Sequence, residues 1–462
     1  MARMNITANR LENIQQLKGR RVAVLGAARS GVALASLLHL AGATVLISDT
    51  QPRERLTHHL KKLPHDVQVE TNGHTETILQ CDLIAISPGV PLNIPILEKA
   101  RGCNIPILGE LEIASWFVQA PIIAITGSNG KTTTTGLIGE ILKRLYRKVI
   151  VAGNIGNPLS AALLEMPSPE IVVLEVSSFQ LETIDVFHPR IAVFTNLSEN
   201  HLDRYPDFDA YVAAKMRMFD NMNSEDMVIY NQDDPLLTQL VHNYPPLQLP
   251  VSQKTRLSHG SYWLDDVLHL HWQEVAAQIR WKSLSLKGPH NRYNIAMAAL
   301  VGVVLGVSPE AIEEAVANFQ PLPHRLEFVA ERDGVKWYND SKATTVASMQ
   351  TALLSFQDPV VLIAGGKDKG GNFQSLQSLL QQKVRCAILI GEAATRIARE
   401  WENVVPIYAV NSLSDAVQTA ARCAQKGDVV VLAPGCSSFD MFQNYEDRGN
   451  QFKTLVKQML HV

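Results

Sequence analysis

What most constrains this chain is an alternation that recurs from end to end: a short apolar run, a turn, then a helical pattern. It opens with Arg21–Gly26 (RVAVLG), a helical Val32–Leu40, a second strand pattern at Thr44–Asp49 and a third at Asp82–Ser87 (DLIAIS). A second series runs through Ile122–Thr126, Lys148–Ala152, Ile171–Val176 and Ile191–Asn196, and a third through Val360–Ala364, Cys386–Ile390 and Val429–Ala433. Short apolar strands joined by helices pair in parallel through crossovers, so the fold class is α/β. At roughly 150 residues per domain, 462 residues make about three such units.

The interruptions suggest where the units divide. Val118–Pro121 (VQAP) precedes the second series, and Gln320–His324 (QPLPH), with two prolines and no period, reads as a linker. Between them, Tyr262–Trp272 (YWLDDVLHLHW) alternates around Asp265-Asp266, the pattern of a small antiparallel sheet, and Asn291–Leu305 reads as a helix. The expected domains are 1–112, 113–320 and 321–462.

Composition narrows the function. Lys+Arg 42 against Asp+Glu 45 leaves a net charge of −3, so bulk attraction to nucleic acid or an anionic membrane is not expected. The five cysteines (Cys81, Cys103, Cys386, Cys423, Cys436) are odd in number and none are in C-x-x-C spacing, which excludes a disulfide scaffold. Residues Met1–Arg21 have no apolar core of a signal peptide, and Val22–Ile47 is interrupted by Arg29, Ser30 and His39. The expectation is a cytoplasmic protein without stable membrane association, and a monomer.

The strongest local signal is Thr126–Thr133 (TGSNGKTT), between an apolar strand and a helical Thr134–Leu145. Glycines let backbone amides close around phosphate oxygens, Lys131 can reach the β- and γ-phosphates, and the Thr132 hydroxyl can hold Mg2+. Ile125 stands where the longer phosphate-loop pattern has its first glycine; the bland alternative is a turn that merely starts a helix. Gly26–Gly31 (GAARSG) also joins a strand to a helix, with Asp49 at the end of the next strand, but lacks the middle glycine of a dinucleotide fingerprint. An NAD site, another nucleotide diphosphate and a plain turn all remain open for it.

Other polar positions have two readings each. Glu175, in LEVSSFQLE, ends a strand, where either a metal-binding acid or a solvated strand end belongs. Asn196–Tyr205 (NLSENHLDRY) gathers Glu199, His201, Asp203 and Arg204, either site residues or a charged capping turn. Lys215 lies among Ala213, Ala214, Met216 and Met218, so it either snorkels or is held neutral by burial. PHRLEF (323–328), NDSKATT (339–345), GGKDKGG (365–371) and APGCSSFDMFQNY (433–445) are polar loops that together suit the rim of a site for an anionic substrate.

With these residues assembled, the chain resembles the Mur ligase family, ATP-dependent enzymes that build the peptide stem of peptidoglycan. The resemblance rests on TGSNGKTT, GNIGNP (Gly153–Pro158), LEVSSFQLE, HLDRY, LPHRLE and NDSKAT, in order between GAARSG and NYEDRGNQF (Asn444–Phe452). It implies a Rossmann-like N-terminal domain that receives a UDP moiety, a central P-loop ATP-binding domain and a Rossmann-like C-terminal domain for the amino acid. It further implies addition of D-glutamate to UDP-N-acetylmuramoyl-L-alanine, with ATP and two Mg2+ sites.

By position, the resemblance assigns ATP phosphates to Gly127, Ser128, Asn129, Gly130, Lys131, Thr132 and Thr133, and one metal to Thr132 with Glu175. His201 and Lys215 match a second metal site, Lys215 as an N-carboxylated lysine; with Lys131 and Glu175 they form the catalytic set. Asn291 and Asn294 match adenine contacts, and Arg325, Asp340 and Lys342 the residues that reach ATP from the C-terminal domain. Arg29, Ser30 and Thr50 match the UDP site, with Ser87 and Asn154 where that substrate continues. Thr344, Lys369, Ser438, Phe439 and Tyr445 match the D-glutamate pocket. Three positions depart from the family pattern: Asn200 stands where Asp is frequent, Gln51 where some members carry Arg (Arg53 lies near), and Lys367 adds a second lysine beside Lys369.

The same residues admit two rival readings. Other amino-acid-adding relatives share the ATP chemistry, but NDSKATT and SSFDMFQNYEDRG favour D-glutamate. A nucleotide-binding regulator without turnover fits poorly with a chain that retains Lys131, Glu175, His201 and Lys215.

Overall fold

The apolar runs become strands buried on both faces, as parallel sheets covered by helices require. A computed structural model describes residues 4–154, 156–199, 204–281, 286, 288–320, 323–368 and 370–460. The chain divides into two compact units, one of Met1–Leu197, Val212–Arg280 and Asn294–Val316, the other of Ser198–Tyr211, Trp281–Tyr293 and Ala317–Val462.

The first unit holds two sheets. In the first, β1 (Arg21–Leu25), β2 (Thr44–Ser48), β3 (Gln68–Glu70), β4 (Leu83–Ile86) and β5 (Ile107–Gly109) are all parallel, in the order β3-β2-β1-β4-β5. The order reverses at β1, which places the GAARSG turn and Ser87 at the topological switch point where open α/β sheets bind ligands. The second sheet contains β6 (Ile122–Thr126), β7 (Val149–Gly153), β8 (Ile171–Glu175), β9 (Ile191–Phe194), β10 (Met227–Asn231), β11 (Leu247–Ser252), β12 (Gly260–Leu264), β13 (Val267–Trp272) and β14 (Val275–Ile279). Their order is β14-β13-β12-β11-β10-β9-β6-β8-β7. Here β6 lies between β8 and β9, so TGSNGKTT, Glu175 and Thr195-Asn196 emerge side by side at the carboxyl ends of adjacent strands.

Two expectations need correcting. The alternating Tyr262–Trp272 segment is antiparallel, with Asp265 left-handed (φ 52°) in its two-residue turn, but it is no separate small sheet. Strand β12 pairs in parallel with β11 through Val251↔Ser261 and Ser252↔Tyr262, so β12–β14 extend the nine-stranded sheet at its edge. The two glycine-turn helices also begin earlier than their apolar periods, at Arg29 (Arg29–Leu40) and Lys131 (Lys131–Leu142). Arg29, Ser30, Lys131, Thr132 and Thr133 therefore belong to first helical turns, whose amides have no intrahelical partner.

The second unit is built on β15 (Glu327–Arg332), β16 (Val335–Asn339), β17 (Val360–Gly365), β18 (Val384–Ile390), β19 (Ile407–Ala409) and β20 (Val429–Leu432), in the order β15-β16-β20-β17-β18-β19. Only the β15–β16 pair is antiparallel. NDSK follows β16, GGKDKGG follows β17 and APGCSSF follows β20, so parallel pairing brings all three loops to one end of the sheet. Among the described residues no helix is long and apolar enough to cross a membrane.

Candidate active site

The loop after β6 is shaped by two glycines that nothing else could replace. Gly127 has φ 133°, and a Cβ there would lie 2.0 Å from Thr195 Oγ1; Gly130 has φ 85°, and a Cβ would lie 2.5 Å from Asn294 Oδ1. The loop is fastened to the end of β9. Asn129 N donates to Asn196 Oδ1 (3.0 Å), Asn196 Nδ2 donates back to Asn129 O (3.0 Å), Ser128 N donates to Asn196 O (2.8 Å) and Thr195 Oγ1 to Asn129 O (2.6 Å). Helix Lys131–Leu142 starts directly from Gly130 with no side-chain cap. Such a cradle of amides beside a lysine fits an anion of phosphate size.

Two lysines converge on one carbonyl of this loop. Lys131 Nζ donates to Gly127 O (2.8 Å) and Ser128 O (3.0 Å), and Lys215 Nζ donates to the same Gly127 O (2.9 Å). Lys215 is only 1% exposed, carried inward by helix Phe208–Met216. Burial first, and then the neighbouring Lys131 charge, hold its pKa well below the ordinary lysine range, with Glu175 opposing. The snorkelling reading therefore fails for Lys215: its amine is enclosed.

Glu175 is equally buried, at the end of β8. Its Oε1 accepts from Asn154 Nδ2 (2.8 Å), and the main chain repeats the link, Asn154 N to Glu175 O (2.8 Å). The buried Thr132 hydroxyl and the Glu175 carboxylate are hard oxygen donors suited to Mg2+. Among the described residues no three His, Cys, Asp or Glu side chains gather as a metal site by themselves. Asn294 is buried against this loop, its Oδ1 accepting from Thr134 Oγ1 (3.1 Å). His201 and Asn200 lie outside the described residues.

The turn after β1 is tighter. A Cβ on Gly31 would lie 1.7 Å from Gly26 O, and one on Gly26 (φ 93°) would meet Ser87 Oγ at 2.9 Å. Ser87 Oγ donates to Gly26 O (3.3 Å). The Asp49 carboxylate accepts from Ala27 N (2.7 Å) and Gln51 N (2.8 Å), which ties β2 to the turn. Arg29 and Thr50 are exposed and Ser30 half-buried; Arg29 Nη1 donates to Gly156 O in the GNIGNP turn.

In the second unit, Asp340 is buried, and burial pushes its carboxyl up to about 6 against the pull of Arg325. Its Oδ1 accepts from Leu326 N (3.3 Å), which joins LPHRLE to NDSK. Lys342 Nζ sits 5.5 Å from the centre of the Tyr445 ring, and Thr344 N donates to Lys342 O (2.8 Å). Ser438 is buried, whereas Phe439 is 67% exposed. Asn291 is also buried in this unit. Lys369 lies outside the described residues, while the extra Lys367 pairs through its backbone with Ser437.

Four residues at these sites escaped the sequence reading. Thr195 and Asn196 pin the phosphate-type loop; the one available signal was a polar pair at a strand end. Arg448, fully buried, gives Nε to Ser341 Oγ (3.0 Å), Nη2 to Ser341 O (2.9 Å) and Cys436 O (3.3 Å), and Nη1 to Ser437 O (3.3 Å). Arg396 grips Asp368 (2.7 and 2.9 Å) and Gly371 O (2.6 Å) around GGKDKGG. Nothing local marks either arginine.

Comparison with known proteins agrees with this arrangement. Three family descriptions match in order: "Mur ligase MurD-like, N-terminal domain" over 20–109, "Mur ligase middle domain" over 125–302 and "Mur ligase, glutamate ligase domain" over 324–436. A protein of Koribacter versatilis named UDP-N-acetylmuramoylalanine--D-glutamate ligase is 43% identical over 446 residues, 96% of this chain and 98% of its own. One of Geotalea daltonii with the same name is 41% identical over 447 residues, 96% and 98% of the two chains. Among solved structures, UDP-N-acetylmuramate-alanine ligase MurC of Thermotoga maritima aligns with a TM-score of 0.61 at 18% identity, over 95% of this chain and all of its own. A pseudomurein peptide ligase type C of Methanothermus fervidus aligns at 0.61 and 17%, over 96% and 100%. With the nucleotide-type loop, three α/β sheets in order and close relatives along nearly its whole length, the chain belongs to the Mur ligase family.

Proposed function

We propose that this protein is an ATP-dependent ligase that joins D-glutamate to UDP-N-acetylmuramoyl-L-alanine, releasing ADP and phosphate, in cytoplasmic peptidoglycan precursor synthesis. The observation that carries the reading is the 43% identity, over 96% of the chain, to a relative bearing that activity in its name. The fastened, glycine-shaped loop with its two lysines supports the ATP half.

In this reading residues 1–112 form a Rossmann-like domain for the UDP substrate, 113–320 a P-loop domain for ATP, and 321–462 a Rossmann-like domain for the amino acid. The protein acts as a monomer. Arg29, Ser30 and Thr50 hold the uridine diphosphate, with Ser87 and Asn154 further along the substrate. Gly127–Thr133 wrap the phosphates, Asn291 and Asn294 serve the nucleoside, and Arg325, Asp340 and Lys342 reach ATP from the C-terminal domain.

The chemistry has two displacements. The L-alanyl carboxylate attacks the γ-phosphorus and ADP leaves, giving an acyl phosphate. The D-glutamate amine then attacks the carbonyl carbon, loses a proton, and phosphate departs to leave the amide. Phosphoryl transfer asks for positioning and positive charge, which Lys131 and the loop amides supply. Thr132, Glu175, His201 and Lys215 would hold Mg2+, which when bound adds Lewis-acid charge over the phosphoryl and carbonyl oxygens. An enclosed neutral Lys215 amine is the form that adds CO2, losing a proton to become a carbamate. That conversion replaces an amine crowded against Lys131 with an anionic oxygen ligand.

For D-glutamate, Lys369, Thr344 and Ser438 supply donors at the two carboxylates, with Tyr445 and Phe439 beside the aliphatic segment. A lysine or diaminopimelate side chain would bring an ammonium toward Lys369, and L-glutamate would leave a buried polar group unpaired. The test is phosphate release with UDP-N-acetylmuramoyl-L-alanine, ATP and Mg2+, offering D-Glu, L-Glu, L-Lys and meso-diaminopimelate in turn. D-Glu is the one efficient acceptor expected. Efficient use of L-Lys or meso-diaminopimelate overturns the substrate, and no release with any of them overturns the ligase.

A further inference from the structure

Two buried carboxylates in the first unit take no part in the chemistry above. Both lie on helix Glu110–Trp116, all seven of whose residues are buried. The helix follows β5 without a break, and Gly109 N donates to Thr183 O (3.0 Å) at its start. A Cβ at Gly109 would lie 2.2 Å from Thr183 Oγ1, so this joint between the two sheets has no slack.

The two carboxylates hold different things. Glu112 is satisfied by Trp116 Nε1 (2.7 Å) and the backbone amides of Asp185 (2.8 Å), Val186 (3.2 Å) and Phe187 (2.9 Å), a segment carrying none of the site residues. Glu110 reaches toward the site instead. Its Oε1 accepts from both the amide (2.8 Å) and the hydroxyl (2.7 Å) of Ser160, in the first turn of helix Leu159–Glu165. That helix begins where GNIGNP ends. Within the turn Gly153 N donates to Asn157 O (2.9 Å), and Asn154 is bonded to Glu175 through both side chain and main chain. From the other side, Arg29 Nη1 donates to Gly156 O.

We propose that Glu110 is a positioning residue for the UDP substrate: through Ser160 it fixes the start of the helix that follows Asn154, and so holds Asn154 in register with Arg29. The segment is held at two points beyond Asn154, at Gly156 O by Arg29 and at Ser160 by Glu110. Misplacement by about 1 Å is enough to cost a hundredfold in rate when a reacting group must be aligned. Burial pushes the Glu110 carboxyl above the usual carboxylate range, with Ser160 opposing, and the contact itself is two hydrogen bonds accepted by Oε1. Glutamine keeps that acceptor and alanine loses it.

The inference rests on the ligase reading, and the test separates the two. In phosphate-release assays on the full chain, Glu110→Ala raises the KM for UDP-N-acetylmuramoyl-L-alanine about tenfold or more and lowers kcat, while the KM values for ATP and D-Glu stay within about twofold. Glu110→Gln restores all of them. Ser160→Ala shifts the same KM by about threefold, and the double variant is no worse than Glu110→Ala alone, because both remove one interaction. Glu112→Gln, on the same helix, leaves the UDP-substrate KM unchanged. An equal rise in the KM for ATP, an unchanged UDP-substrate KM in Glu110→Ala, or a Gln variant as impaired as Ala overturns the proposal. Should Glu110→Ala not fold, Ser160→Ala and Glu110→Gln decide by the same criteria. Absence of phosphate release in the unaltered protein would count against the ligase reading alone; calorimetric binding of UDP-N-acetylmuramoyl-L-alanine to the unaltered protein and Ser160→Ala then tests the clamp without turnover.

Discussion

The loop after β6 and the loop cluster of the C-terminal sheet are built by opposite means. The first is a single contiguous segment whose glycines, amides and lysine do the work, with Thr195 and Asn196 holding it from the next strand. The second is three segments, after β16, β17 and β20, joined across the chain: Arg448 bonds the first to the third, the Lys367 and Ser437 backbones pair the second with the third, and Arg396 holds the second. The difference teaches where damage should appear. Injury to the first should show in rate, and injury to the second in folding.

The largest effect expected is in Lys131→Ala. Removing a preorganised cation from the transferring phosphoryl group costs about 10²–10³ in kcat, while thermal unfolding stays where it was. Wild-type turnover in the folded variant would remove the loop from the reaction.

Arg448→Ala should do the reverse. It strips three buried carbonyls and a hydroxyl of their donor, a loss of about 3 kcal/mol in urea unfolding of the C-terminal part. If stability is kept and only rate falls, the contrast between the two regions collapses.

Lys215→Ala sharpens the first half. A loss of about 100-fold, partly recovered by a small carboxylic acid such as acetate, marks a carboxylate-like group at that place. Recovery by an alkylamine instead of an acid would mean that the bare amine is the working form.

A pH measurement separates the regions again. Burial holds the Asp340 carboxyl at about 6, above its ordinary 3.8, so between about 4 and 6 the folded chain keeps a proton that the unfolded chain has lost. Stability therefore falls as pH rises through that window, by on the order of 2 kcal/mol, and Asp340→Asn should flatten the slope in Tm. A slope unchanged in that variant would assign it to another group. The smallest effect is expected in Phe439→Ala: an exposed ring leaves kcat and the D-Glu KM within about threefold, and a tenfold rise would show that the ring packs on the amino acid.

How much of this was legible follows the same division. TGSNGKTT could be read because its chemistry is local: a strand, glycines at fixed places, a lysine and a helix start lie within one short segment. The status of Lys215 could not, since only the approach of a second lysine to Gly127 O, far along the chain, decides whether its amine is crowded or solvated. Nor could the bond that closes the turn after β1, where the fold brings Ala27 N within 2.7 Å of the Asp49 carboxylate. The alternating Tyr262–Trp272 segment announced its hairpin and not its neighbour, because period-2 patterning sets which face is buried but not what the edge strand pairs with.

By itself, then, the sequence determined the α/β class, most of the strands, and the strand–glycine loop–helix form of TGSNGKTT, all of which depend on residues close together in the chain. Tertiary structure alone decided that Glu110 would grip Ser160, that Arg448 would join two loops, and that the hairpin would lengthen the central sheet. The physical reason is that a buried charge or an unpaired strand edge is costly wherever it occurs. Which distant group relieves that cost is settled by packing, since many sequence separations satisfy the same hydrogen bond.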